Sequence, residues 1–309
     1  MAVNRLTLGG NPNSFSNRNP KWRITDVIVL LIFMIISYPV YYQEPFQRQF
    51  YLNDLTISHP YALNQRVSDT MLFVYTLVIP LIAIVIMTLI LAHPHHRWFL
   101  LYISVLGLFL AWFATSLFTN FIKNWIGRLR PDFLDRCQPK PGLPVDMLFT
   151  ASEVCTTDNK EILLDGFRTT PSGHSSESFA GLGYLYLWTC GQLLTENKEM
   201  GYWRKLVALL PLLGASLIAL SRTQDYRHHF VDVLLGSIFG YVVAYFNYRR
   251  NFPPINDPIP FKPILDDSDV TLEEEEQELT THTTTPAGPE FRRIPLQHTD
   301  EEALPLTGN

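Results

Sequence analysis

Six apolar runs, each long enough to cross a lipid bilayer as a helix, constrain what this 309-residue chain can fold into. A transmembrane helix needs about 20 predominantly apolar residues. Several of the runs are nearly free of charge, which disfavours the buried helices of a large soluble protein. The sequence therefore predicts an all-α integral membrane protein. Its six spans cover residues 24–42, 71–92, 98–122, 175–194, 205–221 and 229–247.

The spans divide the chain into three regions. Residues 1–22 form a polar N-terminal tail, and residues 23–250 hold the six spans. Residues 251–309 begin proline-rich and continue into the acidic run LEEEEQEL. Low hydrophobicity and clustered acid predict that this C-terminal tail is disordered in the cytosol.

An even number of spans places both termini on one side of the membrane. Lys and Arg are normally enriched in cytoplasmic segments, but their numbers on the two sides are almost equal here. We expect cytosolic termini. The basic residues of segment 123–173 then lie on the outer side, where their clustering suggests a local role.

Three polar patches fall at span ends, and the six-span topology puts all of them on the outer side. They are KNWIGRLRP at 123–131, PSGH at 171–174 and SRTQDYRHHFVD at 221–232. Lys123 and Arg130 are seven residues apart and so share a helix face. The prediction that the patches meet depends on the topology rather than on any single motif.

The cationic side chains of the patches, Lys123, Arg130 and Arg222, suit a group with two or more negative charges. The forked donors of arginine match phosphate geometry. Ser172 and Gly173 begin a span, where free backbone N–H groups and the positive helix end favour an anion. The pattern predicts a phosphate cradle.

The histidines near this cradle suggest two catalytic roles. One imidazole can attack phosphorus while His174 protonates the leaving oxygen. Asp232 can hold the attacking imidazole in its reactive tautomer. His228 and His229 both lie close to the helix face of Asp232, so the spacing leaves its partner open. A metal site built from the same residues is an alternative, although three neighbouring cations would be unusual there.

Taken together, the patches match K-x6-RP, PSGH and SR-x5-H-x3-D, with every defining position filled. This set resembles the type 2 phosphatidic acid phosphatase superfamily, which also includes vanadium haloperoxidases and bacterial acid phosphatases. Longer stretches, such as FTNFIKNWIGRLRPDFLDRCQP, are similar to the fungal diacylglycerol pyrophosphate phosphatases within it. The resemblance implies a helical-bundle core of the kind found in that superfamily.

The resemblance also implies a role for each residue of the site. His228 would be the nucleophile that forms a phosphohistidine, Asp232 would orient it, and His174 would be the general acid. The residues expected to bind the phosphoryl oxygens are Lys123, Arg130, Ser172, Gly173 and Arg222. No cofactor is expected, because the superfamily is independent of magnesium.

The implied reaction is hydrolysis of diacylglycerol pyrophosphate to phosphatidate and phosphate, followed by hydrolysis of phosphatidate to diacylglycerol. Lysophosphatidate is a further candidate substrate, and the expected partners are phospholipids rather than nucleic acids. The implied location is the vacuolar membrane with a lumenal site. The alternatives are a lipid-phosphate binding or transport protein without turnover and a vanadate-dependent oxidase.

Cys137 and Cys155 lie in the polar stretch 132–170, on the expected outer side. An oxidising lumen could join them in a disulfide, and two free thiols are an equal alternative. Because loops of this length are often functional, we expect the stretch to fold over the head-group site.

Overall fold

The structure, a computed structural model, describes residues 22–266. In this part of the chain all regular elements are helical, apart from two isolated β-bridges. Each predicted span corresponds to a long helix. In chain order the helices are α1 (Ile24–Tyr42), α2 (Asp69–Phe73), which continues through a π-helical turn (Val74–Val78) into α3 (Ile79–Leu91), α4 (Pro94–Ile126), α5 (Phe133–Cys137), α6 (Ala151–Val154), α7 (Lys160–Asp165), α8 (Gly173–Gln192), α9 (Trp203–Gln224) and α10 (Phe230–Asn251). A 3₁₀ turn covers Leu55–Ile57.

The six predicted spans are all helices, but α8 differs from the other five in its hydropathy. Among the described residues, five helical segments are long and apolar enough to span a bilayer. They are Ile24–Tyr42, Asp69–Leu91, Pro94–Ile126, Trp203–Gln224 and Phe230–Asn251. Helix α8 is 20 residues long and begins with polar turns, and its Tyr184 and Trp188 side chains are buried. Because neighbouring helices cover α8, it needs less apolar surface than a helix that faces lipid.

Helix α1 shows the opposite pattern. Asp26 is the one buried residue of this helix, and large apolar side chains such as Ile35 are exposed on it. A helix of this kind is stable only where hydrocarbon covers it. Helices α1 and α8 therefore represent the lipid-facing and the protein-covered extremes of the bundle.

Close packing against α8 depends on small residues. A Cβ atom at Gly181 would overlap the carbonyl oxygen of Thr76, and one at Gly240 would overlap that of Ser176. The π-helical turn holds Thr76, which lies four residues before Pro80. Proline lacks an N–H, and its ring would clash with the carbonyl four residues earlier in a regular α-helix, which accounts for the turn. Glycine at both positions lets α10 and the π-helical turn approach α8 closely.

Contacts at the two ends of the bundle show which helix ends lie together. Arg23 Nη2 donates to the carbonyl of Arg250 (2.8 Å), and Arg250 pairs with Asp26 (2.7 Å). The start of α1 therefore lies beside the end of α10. At the opposite end, Asn124 Nδ2 donates to the carbonyl of Val40 (2.8 Å), which joins the ends of α4 and α1. The chain thus returns to the side on which the first helix begins, as an even number of spans predicts.

The connecting segments 43–68 and 127–170 share a small core of their own. Its buried apolar residues are Phe50, Ile57, Phe133, Cys137, Phe149, Ala151, Val154 and Phe167. A disulfide joins Cys137 to Cys155, which ties the end of α5 to the end of α6. The core and the disulfide give the long polar stretch a fixed conformation.

Both predicted tails lie largely outside the described residues. Residues 1–21 and 267–309 belong to that category. Residues 252–266, which directly follow α10, contact the helical domain. Phe252 is fully buried, Ile264 N donates to the carbonyl of Asn251 (3.0 Å), and Gln192 Nε2 donates to the carbonyl of Phe261 (3.1 Å). The region predicted to be disordered therefore begins with a segment that packs against the domain.

Candidate active site

The three polar patches meet at one end of the bundle. The C-terminal end of α4 carries Lys123, the N-terminal turn of α8 carries His174, and the turn between α9 and α10 carries His228. Arg130 lies beyond the end of α4 at Ile126, so the prediction that it shares a helix face with Lys123 is wrong. The backbone N–H of Ser172 donates to the carbonyl of Asp232 (3.0 Å), so the starts of α8 and α10 are in direct contact. Distant parts of the sequence thereby form one site.

A single cavity of about 790 Å³ holds most of the predicted residues. Six of the eight line it: Lys123, Arg130, Gly173, His174, Arg222 and His228. Ser172 and Asp232 are fully buried behind this wall. The polar stretch between α4 and α8 contributes to the same cavity through α7 and the residues around it, including Asp165 and Arg168.

The cations of the cavity are fixed by neighbouring groups. Arg130 Nη2 donates to Asp165 (2.7 Å), and Arg222 Nη2 donates to Asp225 (2.8 Å). The Nζ atom of Lys123 lies 3.1 Å from the position that a Cβ atom of Gly173 would occupy. Burial lowers the pKa of Arg130 to about 10 against the raising effect of Asp165, which leaves the guanidinium charged at neutral pH.

The hydrogen bonds of His228 identify its reactive nitrogen. Its Nδ1 lies 2.7 Å from the carbonyl oxygen of Thr169. A carbonyl only accepts, so Nδ1 carries the proton and Nε2 keeps its lone pair. Burial, followed by the charges of Arg130 and Lys123, holds the pKa of His228 well below its usual 6.5. A neutral imidazole with a free Nε2 is a competent nucleophile.

The carboxylate of Asp232 is arranged differently from the pairing that the resemblance implies. It accepts from Thr169 Oγ1 (2.9 Å), from the backbone N–H of His229 (2.9 Å) and from Arg128 Nη1 (3.0 Å). Its direct imidazole contact is with His229 Nδ1 (3.2 Å). Since the Thr169 hydroxyl also lies 3.2 Å from His228 Nδ1, Asp232 reaches His228 through Thr169.

The imidazole of His174 contacts a backbone carbonyl and an arginine. Its Nε2 lies 3.0 Å from the carbonyl oxygen of Val67 and 3.4 Å from Arg222 Nη1. With a proton on Nε2, the imidazole donates to the nearer carbonyl, the longer contact with Arg222 is not a hydrogen bond, and Nδ1 is left for exchange with a substrate. Asp69 Oδ1 lies 3.8 Å from Nε2, so a carboxylate stands at the outer edge of this imidazole.

Ser172 caps α8 instead of donating to the cavity. Its hydroxyl accepts from Ser175 Oγ (3.0 Å), and its N–H is already bonded to Asp232. A hydrogen bond from the Ser172 N–H to a phosphoryl group would require the bond to Asp232 to be exchanged, whereas the hydroxyl accepts in its present bond and keeps its own proton. Gly173, by contrast, lines the cavity.

Several residues of the site belong to none of the three sequence motifs. Asp165 accepts from Arg130 and from Arg136 Nη1 (3.0 Å). Burial raises the pKa of Asp165, but these arginines together with Lys123 and Arg227 lower it to about 2. Thr169 links Asp232 to His228. The available indication for Thr169 was its position two residues before PSGH.

Within residues 22–266, no group of three or more His, Cys, Asp or Glu side chains is arranged to hold a metal ion. The site is instead defined by two imidazoles, buried cations and a helix start, which together suit transfer of a phosphoryl group.

This fold and site define a class of protein, and the comparison with known sequences agrees: the chain belongs to the PAP2 superfamily, whose model matches residues 104–253. Diacylglycerol pyrophosphate phosphatase 1 of Saccharomyces cerevisiae is 67% identical over 94% of this chain and 95% of its own length. Probable diacylglycerol pyrophosphate phosphatase 1 of Schizosaccharomyces pombe is 39% identical over 76% and 84%. Lipid phosphate phosphatase 2 of Arabidopsis thaliana is 34% identical over 77% and 80%. No solved structure matches the chain.

Proposed function

We propose that this membrane protein hydrolyses diacylglycerol pyrophosphate to phosphatidate and phosphate, and that it also accepts phosphatidate and lysophosphatidate. The observation that carries the proposal is one cavity lined by His228, His174 and the cations Lys123, Arg130 and Arg222. The names of its relatives in two fungi support the choice of lipid. Lipid-facing helices suit a substrate whose acyl chains stay in the bilayer.

The reaction begins with attack by His228 Nε2 on the terminal phosphorus. An N–P bond forms, the P–O bond to the leaving group breaks, and its electron pair stays on the leaving oxygen. His174 protonates that oxygen and then helps to activate a water molecule. The water oxygen bonds to phosphorus as the N–P bond breaks, which releases phosphate and restores His228. The cations stabilise the phosphoryl oxygens throughout, so the chain's own residues supply the electrostatic stabilisation.

Asp232 acts in this scheme through Thr169. Its carboxylate accepts the hydroxyl proton of Thr169 and fixes the threonine whose carbonyl binds His228 Nδ1. A positive charge that develops on the imidazole during attack is stabilised by the same carbonyl and, at longer range, by the carboxylate.

We also propose that the cavity faces the lumen of the vacuole and that both termini are cytosolic. The disulfide between Cys137 and Cys155 supports this orientation, because it lies in the segment that lines the cavity and forms in oxidising compartments. A thiol reagent that cannot cross membranes tests it. Applied to sealed vacuoles after reduction, the reagent should label the half-buried Cys155 only when the membrane is opened.

The test of the activity uses purified protein in detergent micelles with an excess of chelator. The protein should release phosphate from diacylglycerol pyrophosphate, and His228→Ala should abolish release while the amount of folded protein stays the same. His95→Ala is the matched control, since His95 lies in the first turn of α4 at the opposite end. Tight binding of the lipid without release of phosphate would instead indicate a lipid-phosphate binding or transport protein.

A further inference from the structure

The cavity holds more positive charge than one phosphoryl group requires. Three arginines line it in addition to the predicted cations: Arg136, Arg168 and Arg227. Arg136 is neutralised, because it bonds to both carboxylate oxygens of Asp132 and to Asp165. Arg227 lies within 3.8 Å of the same two carboxylates. Arg168 has a different set of partners.

All of the hydrogen-bond acceptors of Arg168 are neutral. Its Nε donates to Asn124 Oδ1 (2.9 Å), and its Nη2 donates to the carbonyls of Gln43 (2.7 Å) and Tyr41 (3.3 Å). Within residues 22–266 it forms no ion pair. These bonds hold the guanidinium in one orientation at the cavity wall, and none of them pairs its charge with a carboxylate. Such a group is prepared for an anion, because little side-chain entropy remains to be lost on binding.

Arg168 lines the same cavity as Lys123 and His228, and two of its neighbours are connected to them. The following residue, Thr169, binds His228 Nδ1 through its carbonyl. Its partner Asn124 directly follows Lys123 in α4. An anion bonded to the phosphoryl group held by Lys123 and attacked by His228 would therefore come close to this guanidinium.

We propose that Arg168 forms a subsite for the second phosphate of a diphosphate monoester. This inference rests on the proposed function and names the feature that selects its substrate. When His228 attacks the terminal phosphorus, the P–O bond to the bridging oxygen breaks and the electron pair moves onto the inner phosphate. Arg168 stabilises that negative charge as phosphatidate leaves. A monophosphate substrate has no inner phosphate, so its leaving group is an alkoxide that makes no use of Arg168.

The experiment compares Arg168→Ala with the parent protein on two lipids with the same acyl chains, diacylglycerol pyrophosphate and phosphatidate, in mixed micelles. Loss of one charge-assisted hydrogen bond should lower kcat/KM for the diphosphate about tenfold. The value for phosphatidate should change by less than about twofold. Arg168→Lys, which keeps the charge, should recover part of the preference for the diphosphate.

Arg48→Ala is the matched control. Arg48 also donates to a backbone carbonyl at the end of α4, that of Ile126 (2.7 Å), but it does not line the cavity. This variant should leave the ratio of the two kcat/KM values unchanged. If Arg168 only fastens α1 to α4, its alanine variant will lose activity equally on both lipids, and the subsite is refuted.

Equilibrium binding separates this inference from the proposed function. Inorganic pyrophosphate and inorganic phosphate are titrated into the full-length parent protein and into Arg168→Ala. The parent should bind pyrophosphate more tightly than phosphate, and the variant should lose about tenfold in affinity for pyrophosphate alone. This result does not depend on turnover. A parent that releases no phosphate from either lipid contradicts the proposed function, whereas equal losses for both anions contradict the subsite.

Discussion

Replacement of Asp165 by asparagine tests how the cavity orients its cations. The carboxylate accepts from Arg130 Nη2 at 2.7 Å and from Arg136 Nη1 at 3.0 Å. Asparagine has nearly the same shape but removes the charge that fixes Arg130. A hydrogen bond to a charged group contributes about 1.5–3 kcal/mol. Because 35% of the Asp165 side chain is exposed, we take the lower end. A loss of about 1.5 kcal/mol corresponds to roughly a tenfold decrease in rate.

The expected decrease falls on kcat rather than on KM. Arg130 without its partner is less well aligned with the oxygens of the transition state, whereas removal of a negative charge from the cavity wall favours binding of the anionic substrate. The assay is a steady-state measurement of phosphate release in micelles. Glu161→Gln is the control, because Glu161 lines the same cavity from the same helix, α7. That variant should leave kcat within about twofold of the parent value.

The pH dependence of the Asp165→Asn effect is the measurement that could refute this role of Asp165. The pKa of Asp165 is lowered from 3.8 to about 2. Its charge, and the stability that this charge contributes, are therefore fully present above about pH 4 and are lost only as the pH falls towards 2. The ratio of parent to variant kcat should stay constant between about pH 5 and pH 8. A ratio that changes in this interval would show that Asp165 exchanges protons during the reaction, and an unchanged kcat would show that it does not position Arg130.

Two further substitutions test the support of the reactive groups. Thr169→Val removes the hydroxyl between Asp232 and His228 but keeps the carbonyl. The kcat measured by phosphate release should fall about tenfold, while the protein still binds phosphate in titration calorimetry. An unchanged kcat would contradict the link through Thr169. Gly173→Ala places a methyl group 3.1 Å from Lys123 Nζ, so the affinity for phosphate measured by the same calorimetry should fall by at least about fivefold, and unchanged affinity would remove Gly173 from the cradle.

The sequence predicts the helical bundle well because hydropathy reports the bilayer directly. The first span matches α1 at both ends, and all six apolar runs are helical. Helix α4 extends beyond the predicted 98–122 to Pro94–Ile126, because proline is well tolerated in a first helical turn and polar residues continue the helix past the apolar run. The exception is α8, where hydropathy alone does not distinguish contact with lipid from contact with protein.

The residues of the site also fall into two groups, those that the sequence could locate and those that it could not. Lys123, His174 and His228 could be located because fixed spacings and an even number of spans bring their helix ends together. Asp165 and Thr169 could not, since their contacts join residues 35 and 63 positions apart across a folded loop. The partner of Asp232 also depends on this loop. Spacing places both His228 and His229 near Asp232, but the position of Thr169 decides that only His229 contacts it directly.

Trapping of the covalent intermediate tests the central claim most directly. The full-length protein is mixed with diacylglycerol pyrophosphate that carries a radiolabelled terminal phosphate, quenched in alkaline detergent, digested and mapped by mass spectrometry. Because the N–P bond of a phosphohistidine is hydrolysed in acid, the label should be acid-labile and alkali-stable. Because Nδ1 of His228 is bonded to Thr169, the label should be attached to Nε2. Label on His174 or His229, or a labelled enzyme in the His228→Ala variant, would contradict the account.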